Sequence, residues 1–185
     1  MHDPFIAALR QAMAKQQTNP FEALELLGSG TSYTSKIADM LERADMFRDM
    51  SRQEVDIFAG YVQAYQAPAG AEVLHEGARE SYMFIVAQGR LDIMKRAGDH
   101  NENRKIATVR AGKTIGEMSL LDGLPHSATA RVVEPSILLL MTKSHFEQVS
   151  REHPEVALKM IRKMATLMSL RLRQTSGVLI DYLKS

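Results

Sequence analysis

Gly116-Glu-Met-Ser-Leu-Leu-Asp-Gly-Leu-Pro-His-Ser-Ala-Thr-Ala130 is the stretch whose reading decides the fold. A Gly-Glu pair opens a short apolar turn, and Pro125-His126-Ser127-Ala128-Thr129 closes it. Gly116 allows a tight backbone approach with unusual dihedrals. Glu117 to Leu121 predict a short helix whose first N–H groups lack intrahelical partners and point outward. Working outward, the residues on both sides alternate with period two. Strand-like runs occupy 61–65, 71–75, 82–86, 90–94, 104–110, 129–133 and 136–141, with glycines at 70, 77, 89 and 98 between them. Short strands at this spacing predict an antiparallel roll or sandwich, with a jelly roll the first choice.

Helical patterns flank the strands. Residues 4–46 read as helical, with Phe5, Ile6, Leu9, Ala12 and Met13 at helix spacing and a break at Thr18-Asn19-Pro20. Phe21 to Leu27 form a short apolar segment, and a further helix is expected near 35–44. Helices this short need a partner surface. Ser51-Arg52-Gln53-Glu54 is a capping box that starts another helix. The helical period returns near Lys143, and Pro154 restarts a helix that runs to about Leu183. There Leu158, Ile161, Ala165, Met168, Leu172, Thr175, Leu179 and Tyr182 step by threes and fours, the seam of a two-stranded coiled coil. The alternative is an amphipathic helix packed only on its own domain. The expected organisation is a helical segment at 1–46, a β-roll at 47–152 and a long helix at 153–185, an α+β chain.

Composition narrows the function classes. The 185 residues are 45% hydrophobic and 24% charged, the balance of an ordinary globular chain. No apolar run is long enough to span a bilayer and no secretory leader is visible, so the expected location is cytoplasmic. With no Cys, disulfide frameworks, thiolate metal sites and iron–sulfur clusters are excluded. The formal net charge of +1 argues neither for nor against a polyanionic partner.

The segment 116–130 resembles the phosphate-binding cassette of the cyclic-nucleotide-binding domain, the sensor module of catabolite activator protein and of protein kinase A regulatory subunits. Gly70-Ala-Glu-Val-Leu-His-Glu-Gly77 and Tyr82-Met-Phe-Ile-Val-Ala-Gln-Gly89 resemble that family's paired β-turns. Ala44 to Val55 resemble the helix before its first strand, and Phe146 to Leu172 the helices after its last. The resemblance implies a jelly-roll barrel whose last helix pairs with its mate in a homodimer. It implies a ligand, cAMP or another cyclic nucleotide, bound by Gly116, Glu117, Met118, Ser119, His126, Ser127, Ala128 and Thr175, with no other cofactor. Glu117 would accept the ribose 2′-hydroxyl in a charge-assisted bond, Ser127 would donate to a phosphate oxygen, and Ala128 would leave room for the sugar. Thr175, in Arg171-Leu-Arg-Gln-Thr-Ser176, would meet the base, with Thr166 and Ser169 as rivals. Taken alone, Glu117 reads equally as a solvent-exposed loop acid and Thr175 as a polar break in the seam.

The family places an Arg where this chain has His126. Arginine carries a permanent charge and a fork of donors, whereas histidine is mostly neutral at pH 7. Losing one charge-assisted contact costs about 1.5–3 kcal/mol, roughly 10- to 150-fold in affinity. A bound phosphate would favour imidazolium, so binding through His126 is expected to tighten below about pH 6.5. Three readings stay open: a weakened cyclic-nucleotide site, a site for another anion such as cyclic di-GMP, and a scaffold that binds no ligand.

Other classes fare less well. The six histidines, at 2, 75, 100, 126, 145 and 153, contain no His-X-His pair of the kind a metal-dependent jelly roll uses. No P-loop, nucleophile triad or paired-carboxylate pattern stands out, so the expectation is a non-enzyme. A helix-turn-helix after the long helix would make a transcription regulator. A chain ending at Ser185 leaves no place for one, so no direct nucleic-acid contact is expected unless the sequence is cut short. The segment 1–46 is a candidate surface for a protein partner.

Overall fold

The structure is a computed structural model that describes residues 21, 24–30, 33–97 and 102–183, the side chains of Ala97 and of 178–183 excepted. Two bent strands organise it. β4 (Tyr82–Ala97) and β7 (Thr129–Thr142) pair antiparallel along most of their length. One half of this ribbon is flanked by β2 (Gln63–Ala67) on β7 and by β6 (Thr114–Ile115) on β4. The other half is flanked by β3 (Glu72–Leu74) on β7 and β5 (Glu102–Arg110) on β4. A ribbon with different neighbours on its two halves makes two facing sheets, the antiparallel jelly roll of an α+β chain.

The bend explains a difference from the sequence reading. The runs 82–86 and 90–94 are one strand, and 129–133 and 136–141 are another. Pairing between them slips around Val86–Leu91, where a bulge turns the ribbon. Gly89 sits there at φ +94°, and a Cβ on it would lie 2.1 Å from Ser136 Oγ. The glycine read as a strand break is a hinge within a strand.

Both faces of the bent strands are buried, on alternate residues. Tyr82, Phe84 and Val86 of β4, with Leu138 and Leu140 of β7, fill the barrel. Met83 and Ile85, with Leu139 and Met141, face a helical layer. That layer contains α1 (Thr34–Leu41), a 3₁₀ turn at Asp45–Phe47 and α2 (Arg52–Ala59). The capping box at the head of α2 is formed in both directions, with Ser51 N–H donating to Glu54 Oε2 at 2.8 Å.

The helical reading of 4–46 needs one correction. β1 (Glu25–Gly28) is a strand on the edge of β2. Its Leu and Glu residues favour helix intrinsically, but pairing with β2 outweighs that small preference. Phe21 packs its ring against Tyr82 and Phe84 at the end of the barrel. The helix expected from Phe5 to Met13 lies outside the described residues.

After β7 the chain enters α4 (Lys143–Glu152) and then α5 (Pro154–Leu183). Val156, Ala157, Met160 and Met164 bury one face of α5 in the helical layer. Leu158, Ile161 and Leu172, on the seam read from the sequence, are exposed. Leu179 and Tyr182 fall outside the described side chains. Among the described residues no helix is long and apolar enough to cross a membrane.

Candidate functional site

The cassette follows β6. Gly116 has φ +85°, and a Cβ there would sit 2.7 Å from Tyr82 O, so the turn needs glycine on two counts. The next residues form α3 (Glu117–Asp122), and Gly123 ends it at φ +70°.

Glu117 is 2% exposed, so it is no solvent-facing loop acid. Thr114 Oγ1 donates to its Oε1 at 2.8 Å, and Arg171 Nη1 of α5 donates to the same oxygen at 2.6 Å. Arg171 Nη2 donates in turn to Thr114 O at 2.6 Å. All these bonds to the carboxylate fall on Oε1, which leaves Oε2 as an acceptor. The resemblance assigns Arg171 no role. The signal for it was spacing: it lies one helical turn before Thr175, on the same side of the helix.

His126 is buried, at 4% exposure, and its ring turns inward. Nδ1 lies 3.0 Å from Ser119 Oγ, and the ring meets Tyr82 edge-on at 4.9 Å. Ser119 Oγ also donates to Gly116 O at 3.1 Å. Ser119 Oγ is thus shared between Gly116 O and Nδ1, and Nε2 has no hydrogen-bond partner among the described residues. Burial pushes the imidazole pKa below its ordinary value, against a weaker opposing pull from Glu80. The His126 main chain is stitched to the turn before β4, its N–H donating to Ala78 O at 2.9 Å.

The remaining expected residues divide. Ser127 is exposed and Ala128 half-buried at the mouth of the roll, where Ser127 O accepts from Lys95 Nζ. Ser119 points under the cassette toward His126, away from that mouth. Met118 is 48% exposed. Thr175 donates to Arg171 O at 3.0 Å and caps its own helix backbone, as Thr166 does with Arg162 O. Gly116, Glu117, Ser119 and His126 therefore form one contact cluster with Arg171, and Thr175 stands outside it. A separate groove of about 400 Å³ between Met46, Met50, Lys159 and Arg162 shares no residue with the cassette. Among the described residues no cluster of His, Asp and Glu is arranged to hold a metal.

Residues 65–153 match the family model of the cyclic nucleotide-binding domain. This stretch is a domain of that family. The chain is 29% identical over 134 residues to the cyclic AMP receptor protein of Thermus thermophilus, covering 72% of this chain and 60% of that protein. It is 25% identical over 130 residues to the patatin-like phospholipase domain-containing protein 7 of Rattus norvegicus, of which it spans 10%. The crystal structure of a cyclic nucleotide-binding domain from Methylobacillus flagellatus superposes with a TM-score of 0.77 at 26% identity, covering 89% of this chain and 92% of that one. The chain thus spans less than two thirds of either curated relative.

Proposed function

We propose that this cyclic nucleotide-binding domain is a non-catalytic sensor that takes a cyclic nucleotide, cAMP first, at the cassette. The observation that carries the reading is Glu117: a carboxylate buried at a glycine-built turn, bonded on one oxygen and open on the other. A ribose 2′-hydroxyl donating to Oε2 completes it, and a deoxyribose leaves it a partner short. The exposed Ser127 and the half-buried Ala128 would take the phosphate beside it. The name of the Thermus thermophilus relative supports cAMP as the first ligand to try. Calorimetric titration with cAMP, cGMP and 2′-deoxy-cAMP tests the site. Saturable heat for a ribonucleotide, lost with the deoxy form, is expected. No heat at millimolar ligand would leave the scaffold reading, which the inward turn of His126 favours.

The sensor is further proposed to act as a homodimer through α5. Leu158, Ile161 and Leu172 are exposed on that helix while its other face is buried in its own domain. That supports a coiled-coil seam, since large apolar side chains in a row mark an interaction surface. Light scattering at about 50 μM is expected to give a dimer mass, and Leu172→Glu a monomer. A monomeric wild type would sink the seam.

A further inference from the structure

With His126 turned inward, the cassette has no cation of its own for a phosphate. A cation stands there all the same, and β4 supplies it. Lys95 Nζ donates to Ser127 O at 2.6 Å and pairs with Glu76 Oε1 at 3.0 Å. Leu91 and Ile93 pack on the barrel-interior cluster, so strand alternation puts Lys95 on that same side, at the mouth. Glu76 belongs to the turn locked to the cassette, where Gly77 N–H donates to His126 O and Glu76 N–H to Thr129 Oγ1.

Basic residues gather on the β4 side of this corner. Glu76 is shared between Lys95 and Arg96, whose N–H donates to Oε2 at 2.9 Å and whose guanidinium lies 3.6 Å away. Arg104 stands directly across from Lys95 in the β4–β5 pairing. Glu76 thus faces Lys95 and Arg96, with Arg104 across the strand from Lys95 and Glu80 close enough to His126 to act on its charge. Among the described residues, two of the three ammonium donors of Lys95 are engaged.

We propose that Lys95, not His126, is the cation that holds the phosphate of a nucleotide at Ser127–Ala128. This rests on the cyclic-nucleotide reading and says which residue does the work. A compact ammonium needs no fork geometry, so it replaces the charge of the family's arginine without its bidentate grip. A lysine ammonium ordinarily stays charged between pH 6 and 8, and the Arg96 N–H and Lys95 hold the Glu76 carboxyl below its ordinary range. Binding is then flat across that range, in place of the tightening expected from a phosphate-bound histidine.

The test is calorimetry on the full chain with cAMP and, separately, adenosine. Wild type, Lys95→Met, Lys95→Gln and Lys95→Arg are compared, with melting curves to verify folding. Both neutral variants should weaken cAMP about tenfold or more while Lys95→Arg stays within about threefold. Adenosine, which lacks the phosphate, should bind each variant alike. Wild-type affinity for cAMP should differ by less than about threefold between pH 6 and pH 8. Unchanged cAMP binding in a folded Lys95→Gln, or about tenfold tightening at pH 6, would overturn the assignment and leave the nucleotide site standing. Absence of cAMP binding in the wild type would remove both, a result the variants cannot mimic.

Discussion

The two halves of the cassette handle a buried polar side chain in opposite ways. In the half built on Gly116, the Glu117 carboxyl group is held by Thr114 and by an arginine from the long helix. In the half built on Pro125, His126 is neutral, bonded at one nitrogen and unpartnered at the other. A buried carboxylate without partners is costly, so Glu117 has recruited a cation from a distant element. A neutral imidazole nitrogen without a partner is cheap by comparison, so His126 can serve as packing against Tyr82. On the proposed reading the first half holds its carboxylate in place for a ligand, and the cation for the phosphate comes from the wall of the barrel.

The largest effect is expected where the first half is built. Gly116→Ala forces a left-handed residue to carry a Cβ 2.7 Å from Tyr82 O. A loss of about 2–4 kcal/mol in urea-denaturation stability is expected, with cAMP binding lost as well. A variant as stable as wild type would mean that the turn relaxes and that the geometry of Glu117 does not depend on it.

Glu117→Gln probes charge in the same half at nearly constant shape. The amide keeps an acceptor for the ribose hydroxyl but drops the ion pair with Arg171. Titration should show cAMP affinity falling about 10- to 100-fold. Equal affinity would erase the difference between the two halves, since both would then act as uncharged surfaces.

How much of this was legible beforehand differs by residue. The turn at Gly116 and Glu117 was legible through the resemblance of 116–130 to a known cassette, because a lone glycine–acid pair reads equally as an exposed loop. The jelly roll was legible from period-two runs broken by glycines, although Gly89 turned out to bend a strand rather than end one. The strand at Glu25–Gly28 was hidden by residues with helix propensity, because its partner β2 lies far along the chain. Arg171 was hidden for the same reason, 54 residues from Glu117. The direction of the His126 ring was not legible at all. Nothing in Leu-Pro-His-Ser-Ala says whether a side chain points to the mouth or under the turn, and that is decided by the space beside Tyr82 and Ser119.

The second half is tested through pH. Desolvation keeps the His126 pKa in the folded protein below its ordinary value near 6.5. As pH falls, the unfolded chain therefore takes up this proton first, and stability rises with pH across that range. The contribution is full above about pH 6.5 and is lost as pH drops toward the folded value. Carboxylates act lower down: the Arg96 N–H and Lys95 hold Glu76 below its ordinary range, and Lys113 does the same for Asp45. Their losses come only below about pH 4.5, which leaves a window for the histidine. Chemical denaturation from pH 7.5 to 5 should show a decline that His126→Phe flattens. The same slope in both proteins would mean that the ring is not held neutral by burial.

The smallest effect is expected at the link between the halves and the long helix. Arg171 is about half exposed but its partner Glu117 is buried and keeps only Thr114, so Arg171→Met should cost about 1–2 kcal/mol of stability. Its effect on binding depends on whether the arginine competes with the ligand or orients the acid for it. Both its bond and that of Thr114 fall on Oε1. The ribose hydroxyl on Oε2 is therefore compatible with the ion pair, and removing Arg171 frees the carboxylate to rotate. A loss of about three- to tenfold in cAMP affinity is expected, because an oriented acceptor is worth more than a mobile one. A gain of the same size would mean that the arginine occupies the ribose position, and the buried acid of the first half would then be blocked by its own helix rather than prepared by it.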